Sequence, residues 1–125
     1  MRTEVENWLK QAEADLRKAK ILFDNRELDG VASNCQQTVE KSLKAVIIKE
    51  KNQLIKTHSL VKLGSIAMVP KELLIKIEKL ETLHQESRYP DVSSVIPAER
   101  YDKEDAVEFV KIAEEVLQWC NKKAK

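Results

Sequence analysis

The chain has 125 residues, 42% of them hydrophobic and 34% charged, a size and balance suited to one helical domain with its own core rather than to a disordered segment. Only two glycines and three prolines occur, which argues against a turn-rich β fold. The net charge of +1, from 22 basic and 21 acidic side chains, excludes a protein that coats nucleic acid through a broad phosphate footprint.

From Thr3 to about Asn25, the residues Val5, Leu9, Ala12, Leu16, Ala19 and Phe23 recur at four- and three-residue steps, the mark of a long amphipathic helix. Trp8 and Leu22 widen its stripe, and Thr3 with Glu6 has the spacing of a capping box. Asn25, Arg26 and Glu27 form a short connection, and Asp29 is placed as the next N-cap. A second helix then carries Leu28, Ala32, Cys35, Val39, Leu43 and Val46 on one face to about Lys49. So short a connection makes the two helices antiparallel neighbours. Glu50 to Lys56 reads as a loop, and Thr57 as the cap of a short helix with Leu60, Leu63, Ile66 and Ala67. Pro70 suits the first turn of a helix running through Leu73, Leu74, Ile77, Leu80 and Leu83 and fading near Ser87. Pro90 to Tyr101 reads as a loop. Asp102, with Asp105 three residues on, starts a last helix with Ala106, Phe109, Val110, Ala113, Val116, Leu117 and Cys120 facing inward. The expectation is a single all-α domain over 1–125: an up-and-down four-helix bundle with one additional short helix.

Cys35 and Cys120 fall on apolar faces and read as small buried hydrophobes; no CxxC or paired His/Cys spacing marks a metal site. The first six residues lack the apolar stretch of a secretory leader, and no run reaches the ~18 apolar residues of a membrane span. A cytoplasmic chain without a cofactor is expected.

The second helix also carries a polar cluster: Gln36, Gln37, Glu40, Lys41 and Lys44. With Cys35 at the centre of the buried face, Gln36 falls ~100° away, Glu40 ~140° and Lys44 ~180°. Gln37 and Lys41 lie on the other flank. The plain reading is a solvated face laced with i,i+4 contacts, each worth about 0.2–0.5 kcal/mol. Ala45, Ile47 and Ile48 break that face, however, so the C-terminal half of the helix is apolar nearly all round and needs cover. Either the short helix from Thr57 or a second subunit supplies it.

His58 stands at a helix N-terminus, where free N–H groups attract anions. His84 lies four residues before Arg88 and shares its face if the helix lasts that far. In Arg88-Tyr89-Pro90-Asp91 the guanidinium offers a fork for phosphate and the ring a stacking surface; the plain alternative is a helix-exit turn with an aromatic plug.

Trp8-x6-Asp15-Leu16-x2-Ala19, Gln37-x-Val39-Glu40-Lys41-x-Leu43-Lys44-Ala45, Thr57-His58-x-Leu60 and Arg88-Tyr89-Pro90 occur in an order that resembles HEPN domains of the stand-alone prokaryotic type, over nearly the whole chain. The resemblance implies a helical bundle, often dimeric, commonly encoded beside a minimal nucleotidyltransferase in a toxin–antitoxin-like pair, with a nucleotide-binding role. Many HEPN proteins are metal-independent ribonucleases that use Arg-x4–6-His. Here no histidine follows Arg88, and no arginine precedes His58 or His84 at that spacing.

The resulting expectation is a non-catalytic nucleotide- or RNA-binding module. In it Lys41, Lys44 and Arg88 meet phosphate, Tyr89 stacks on a base, and Gln37 and His58 bond ligand edges. One alternative is a ribonuclease toxin using His84 or His58 with Arg88. Another is a dimeric adaptor without a small ligand, with Ile48 in its interface.

Overall fold

A computed structural model of the chain describes residues 2–87 and 96–125. Among the described residues the chain forms six helices: α1 (Thr3–Asp24), α2 (Leu28–Lys51), α3 (Leu60–Ile66), α4 (Lys71–Ser87), α5 (Pro97–Arg100) and α6 (Lys103–Ala124). No strand occurs among the described residues. The four long helices stand where the periodicity puts them. A second short helix, α5, occupies part of the stretch read as a loop, with Pro97 at its start. Four residues are too few to carry a helical period.

α1 and α2 form an antiparallel hairpin. The chain turns at Arg26, whose φ of 59° is left-handed. Arg26 N–H donates to the Phe23 carbonyl (3.0 Å) and Glu27 N–H to the Leu22 carbonyl (2.9 Å), the double bond of a Schellman ending. That turn delivers the chain into α2 at Leu28, so Asp29 sits inside the first turn and does not cap it. Thr3 likewise lies inside α1, and the position before it is Arg2. The Arg2 guanidinium donates to the Asn52 side chain and the Ile48 carbonyl, tying the start of α1 to the end of α2.

α2 is the central helix and packs against each of the other five. Ala32, Cys35, Val39, Leu43 and Val46 are fully buried, as their stripe requires. Ala45, Ile47 and Ile48 are buried as well, in a helix that packs against the other five. The cover comes from the same chain. Ile48, only 2% exposed, is therefore interior rather than an interface residue.

The cap of α3 is Ser59, whose hydroxyl accepts from Lys62 N–H at 3.3 Å; the Thr57 hydroxyl, two residues upstream, accepts from Ser59 N–H. Glu81 of α4, buried, reaches across and accepts from Leu60 N–H (2.7 Å) and Val61 N–H (3.1 Å). A carboxylate from α4 thus satisfies the N-terminal donors of α3 and locks the two helices together. Pro70 precedes α4 rather than opening it, its carbonyl accepting from Leu73 and Leu74 N–H. The α6 capping box forms as read: Asp105 N–H to Asp102 Oδ1 at 2.8 Å and Asp102 N–H to Asp105 Oδ2 at 3.1 Å.

Both cysteines are buried thiols. Burial, with a smaller contribution from Glu114, pushes Cys35 up to about 12; burial pushes Cys120 up as well. Neither forms a reactive thiolate at neutral pH. No described helix is long and apolar enough to cross a membrane.

Candidate functional site

The polar side of α2 is solvated at Ser33 and Gln37 but not at Glu40 and Lys44. Glu40 is 5% exposed and Lys44 6%, although a helical wheel centred on Cys35 puts both far from the buried stripe. Two elements close over them. Lys44 Nζ lies 5.7 Å from the centre of the Trp8 ring of α1, a cation–π contact. On the other side, the segment leading to α3 brings His58 Nδ1 to 2.9 Å from Glu40 Oε2. Lys44 Nζ donates to that same oxygen at 2.9 Å. Glu40 is thus the hub joining α1, α2 and the approach to α3.

The geometry defines the His58 ring. A carboxylate only accepts, so the 2.9 Å contact is donated by Nδ1–H. The ring is held at one nitrogen while its body stands in solvent, with 88% of its side chain exposed. Lys41 faces the opposite way: its Nζ lies 2.6 Å from Asp15 Oδ2, and Gln11 Nε2 donates to the other Asp15 oxygen at 3.1 Å.

Ser33, Gln36, Gln37 and Glu40 follow one another along one side of α2 and line a cavity of about 280 Å³ with His58 and His84. Ser33 Oγ lies 3.3 Å from His84 Nε2. Gln36 is 8% exposed, and its buried Oε1 has no hydrogen-bond donor among the described residues. A larger groove between α1 and α6, about 420 Å³, is lined by Phe23, Val107 and Val110 under charged side chains and gathers no such polar groups.

Of the residues expected to bind ligand, Gln37 and His58 therefore meet in one cavity. Lys41 and Lys44 do not line it: Asp15 and Glu40 hold their ammonium groups. The N–H groups at the start of α3 do not await an anion either, because Glu81 fills them. Arg88 and Tyr89 lie outside the described residues. Ser33, Gln36 and His84 enter the site although the binding expectation did not include them. Their signal was the 33–36–37–40 ridge, which only a partner helix could reveal as a cavity wall.

The HEPN domain pattern matches residues 5–123. The chain belongs to the HEPN family. This HEPN chain is 35% identical over 127 residues to "Putative toxin MJ1304" of Methanocaldococcus jannaschii, covering 89% of this chain and 82% of that one. Its fold is similar to the crystal structure of ST0689, an archaeal HEPN homologue, with a TM-score of 0.85 and 30% identity, covering 99% of this chain and 100% of that one. It is also similar to TT1696 from Thermus thermophilus, with a TM-score of 0.87 and 26% identity, over 98% of this chain and 99% of that one. The all-α HEPN bundle is thereby established.

Proposed function

We propose that this HEPN domain binds a nucleotide or an RNA segment without cleaving it, seating a base in the cavity between α2, His58 and α4. The observation that carries this reading is the convergence of Ser33, Gln36, Gln37, His58 and His84 on one small cavity. Neutral groups of this kind suit the edge of a base. Arg88 and Tyr89 keep the roles their chemistry fits: a fork for phosphate and a ring for stacking. We further propose that the domain works as a homodimer with a minimal nucleotidyltransferase, in a toxin–antitoxin-like pair. The name of the M. jannaschii relative supports that context.

Calorimetric titration with ATP and GTP is expected to give saturable binding at millimolar concentration or below. His58→Ala and Gln37→Ala should each weaken it by about five- to tenfold, the worth of one hydrogen bond. Absence of binding at millimolar nucleotide, with and without the nucleotidyltransferase, would sink the reading. Light scattering reads the dimer.

One observation favours a second reading, metal-independent RNA cleavage. Glu40 holds the His58 ring at Nδ1, and His84 lines the same cavity, so two imidazoles face one space. Cleavage also needs a cation to stabilise charge building on phosphate. Lys44 is committed to Glu40, and the family's Arg-x4–6-His is missing. Incubation of RNA with the protein in EDTA is therefore expected to leave it intact. Cleavage that disappears in His58→Ala and His84→Ala would instead establish the second reading.

A further inference from the structure

We infer that the groove between α1 and α6 docks an acidic helical segment of a partner protein. That segment carries apolar side chains at i, i+3/i+4 and i+7 spacing with carboxylates flanking them. The surface is separate from the cavity between α2, His58 and α4, and the inference goes beyond the binding reading above.

Of the α1 residues that recur at four- and three-residue steps, only Phe23 escapes full burial, and of the α6 residues read as inward-facing only Val110 does. The two meet in one groove of about 420 Å³, with Val107 beside them. A hollow of about 490 Å³ continues it past Phe23 toward Arg26 and Lys103. Two core stripes thus stop short at the same place, and what completes them is apolar. The rim is basic. Lys20 pairs with Glu114 across the groove at 3.3 Å. Arg26, Lys103 and Lys111 have no ion-pair partner among the described residues, and the other carboxylate lining the groove is Asp24. Four cations against two carboxylates leave the groove positive, in a chain whose net charge is only +1. A complementary occupant is apolar at its centre and acidic at its edges. Nucleic acid matches less well: Val107 and Val110 offer no ring for a base, and Asp24 and Glu114 would face its phosphates. A lipid surface calls for apolar side chains that project, whereas these are recessed between two helices. A second copy meeting this one groove to groove would set two positive rims against each other. A helix laid between α1 and α6 covers Phe23, Val107 and Val110 as a further member of the bundle.

The test selects binders to the full chain from a phage-displayed library of random peptides long enough for roughly four helical turns. The enriched sequences are then measured as synthetic peptides by fluorescence anisotropy. They are expected to be net acidic with apolar residues at helical spacing, to shift the NMR signals of Phe23, Val107 and Val110, and to bind more weakly as salt rises. Lys103→Glu combined with Lys111→Glu is expected to weaken them about tenfold or more. Both side chains are exposed, and a glutamate at the first position of α6 suits the helix dipole, so this variant keeps its fold. Enriched peptides that are neutral or basic, or that map away from the groove, overturn the inference, as does a library that yields no specific binder. A wild-type dimer in light scattering that the double variant turns into a monomer gives the groove to a second copy and overturns it. Cosedimentation with phosphatidylglycerol vesicles that the double variant loses gives the groove to a membrane surface and overturns it as well.

Discussion

Glu40→Ala is expected to lower folding stability by about 3–5 kcal/mol, the loss typical of breaking a buried ion pair from one side. Urea denaturation measures it as a fall in midpoint at nearly unchanged slope. The size follows from what the substitution leaves behind. Lys44 would keep its ammonium inside the protein, 6% exposed, with only the Trp8 ring as partner. His58 would lose the acceptor that holds its Nδ1. Replacing both members by apolar residues, Glu40→Leu with Lys44→Met, removes the stranded charge as well. That double variant is expected to recover most of the loss, since well-packed apolar replacements of buried pairs are often neutral. A cost below about 1 kcal/mol for Glu40→Ala would show that the pair behaves as an exposed one and that the burial argument is wrong.

Phe109→Ala is expected to cost about 3–5 kcal/mol independently of the Glu40 pair, among the largest effects available to a single apolar truncation here. Phe109 is 1% exposed, and its ring meets the Tyr101 ring edge-on, with centroids 5.1 Å apart at 88°. Tyr101 in turn donates its hydroxyl to the Leu83 carbonyl at 3.1 Å. The truncation therefore opens a cavity beside α6 and removes the aromatic partner that sets Tyr101 against the end of α4. Phe109→Leu should lose less, about 1–2 kcal/mol, because much of the volume stays. Thermal melting of the two variants reads the difference. Equal losses would show that the edge-on ring contact, not the filled volume, carries the energy.

The stripes of α1 and α6 were legible because each of these helices meets the core on one side only. Val5, Leu9, Ala12, Leu16 and Ala19 are buried, as are Ala106, Phe109, Ala113, Val116 and Cys120. α2 defeats the same reasoning. A wheel divides a helix into one inner and one outer face, whereas α2 packs against five other helices. Its nominal outer residues Glu40 and Lys44 are consequently interior, and Lys41 is claimed by Asp15, 26 residues earlier. The link from Glu40 to His58 spans 18 residues and an irregular segment, so no local pattern encodes it. The order of the motifs revealed the family; which of their side chains share a cavity was decided by tertiary packing. The capping of α3 by Glu81 was hidden for the same reason.

The hairpin of α1 and α2 closes through a short connection, Asn25 to Glu27, but the cavity needs α2, the approach to α3, and α4 at once. Swinging the α3–α4 pair away from the hairpin would erase the cavity and leave the hairpin standing. Any occupant that bridges Gln36 and His84 therefore acts as a clasp across that joint. Its binding free energy adds to the work of opening the joint by mass action. Were that joint to open, the open population would fall as the ligand concentration rises above its dissociation constant.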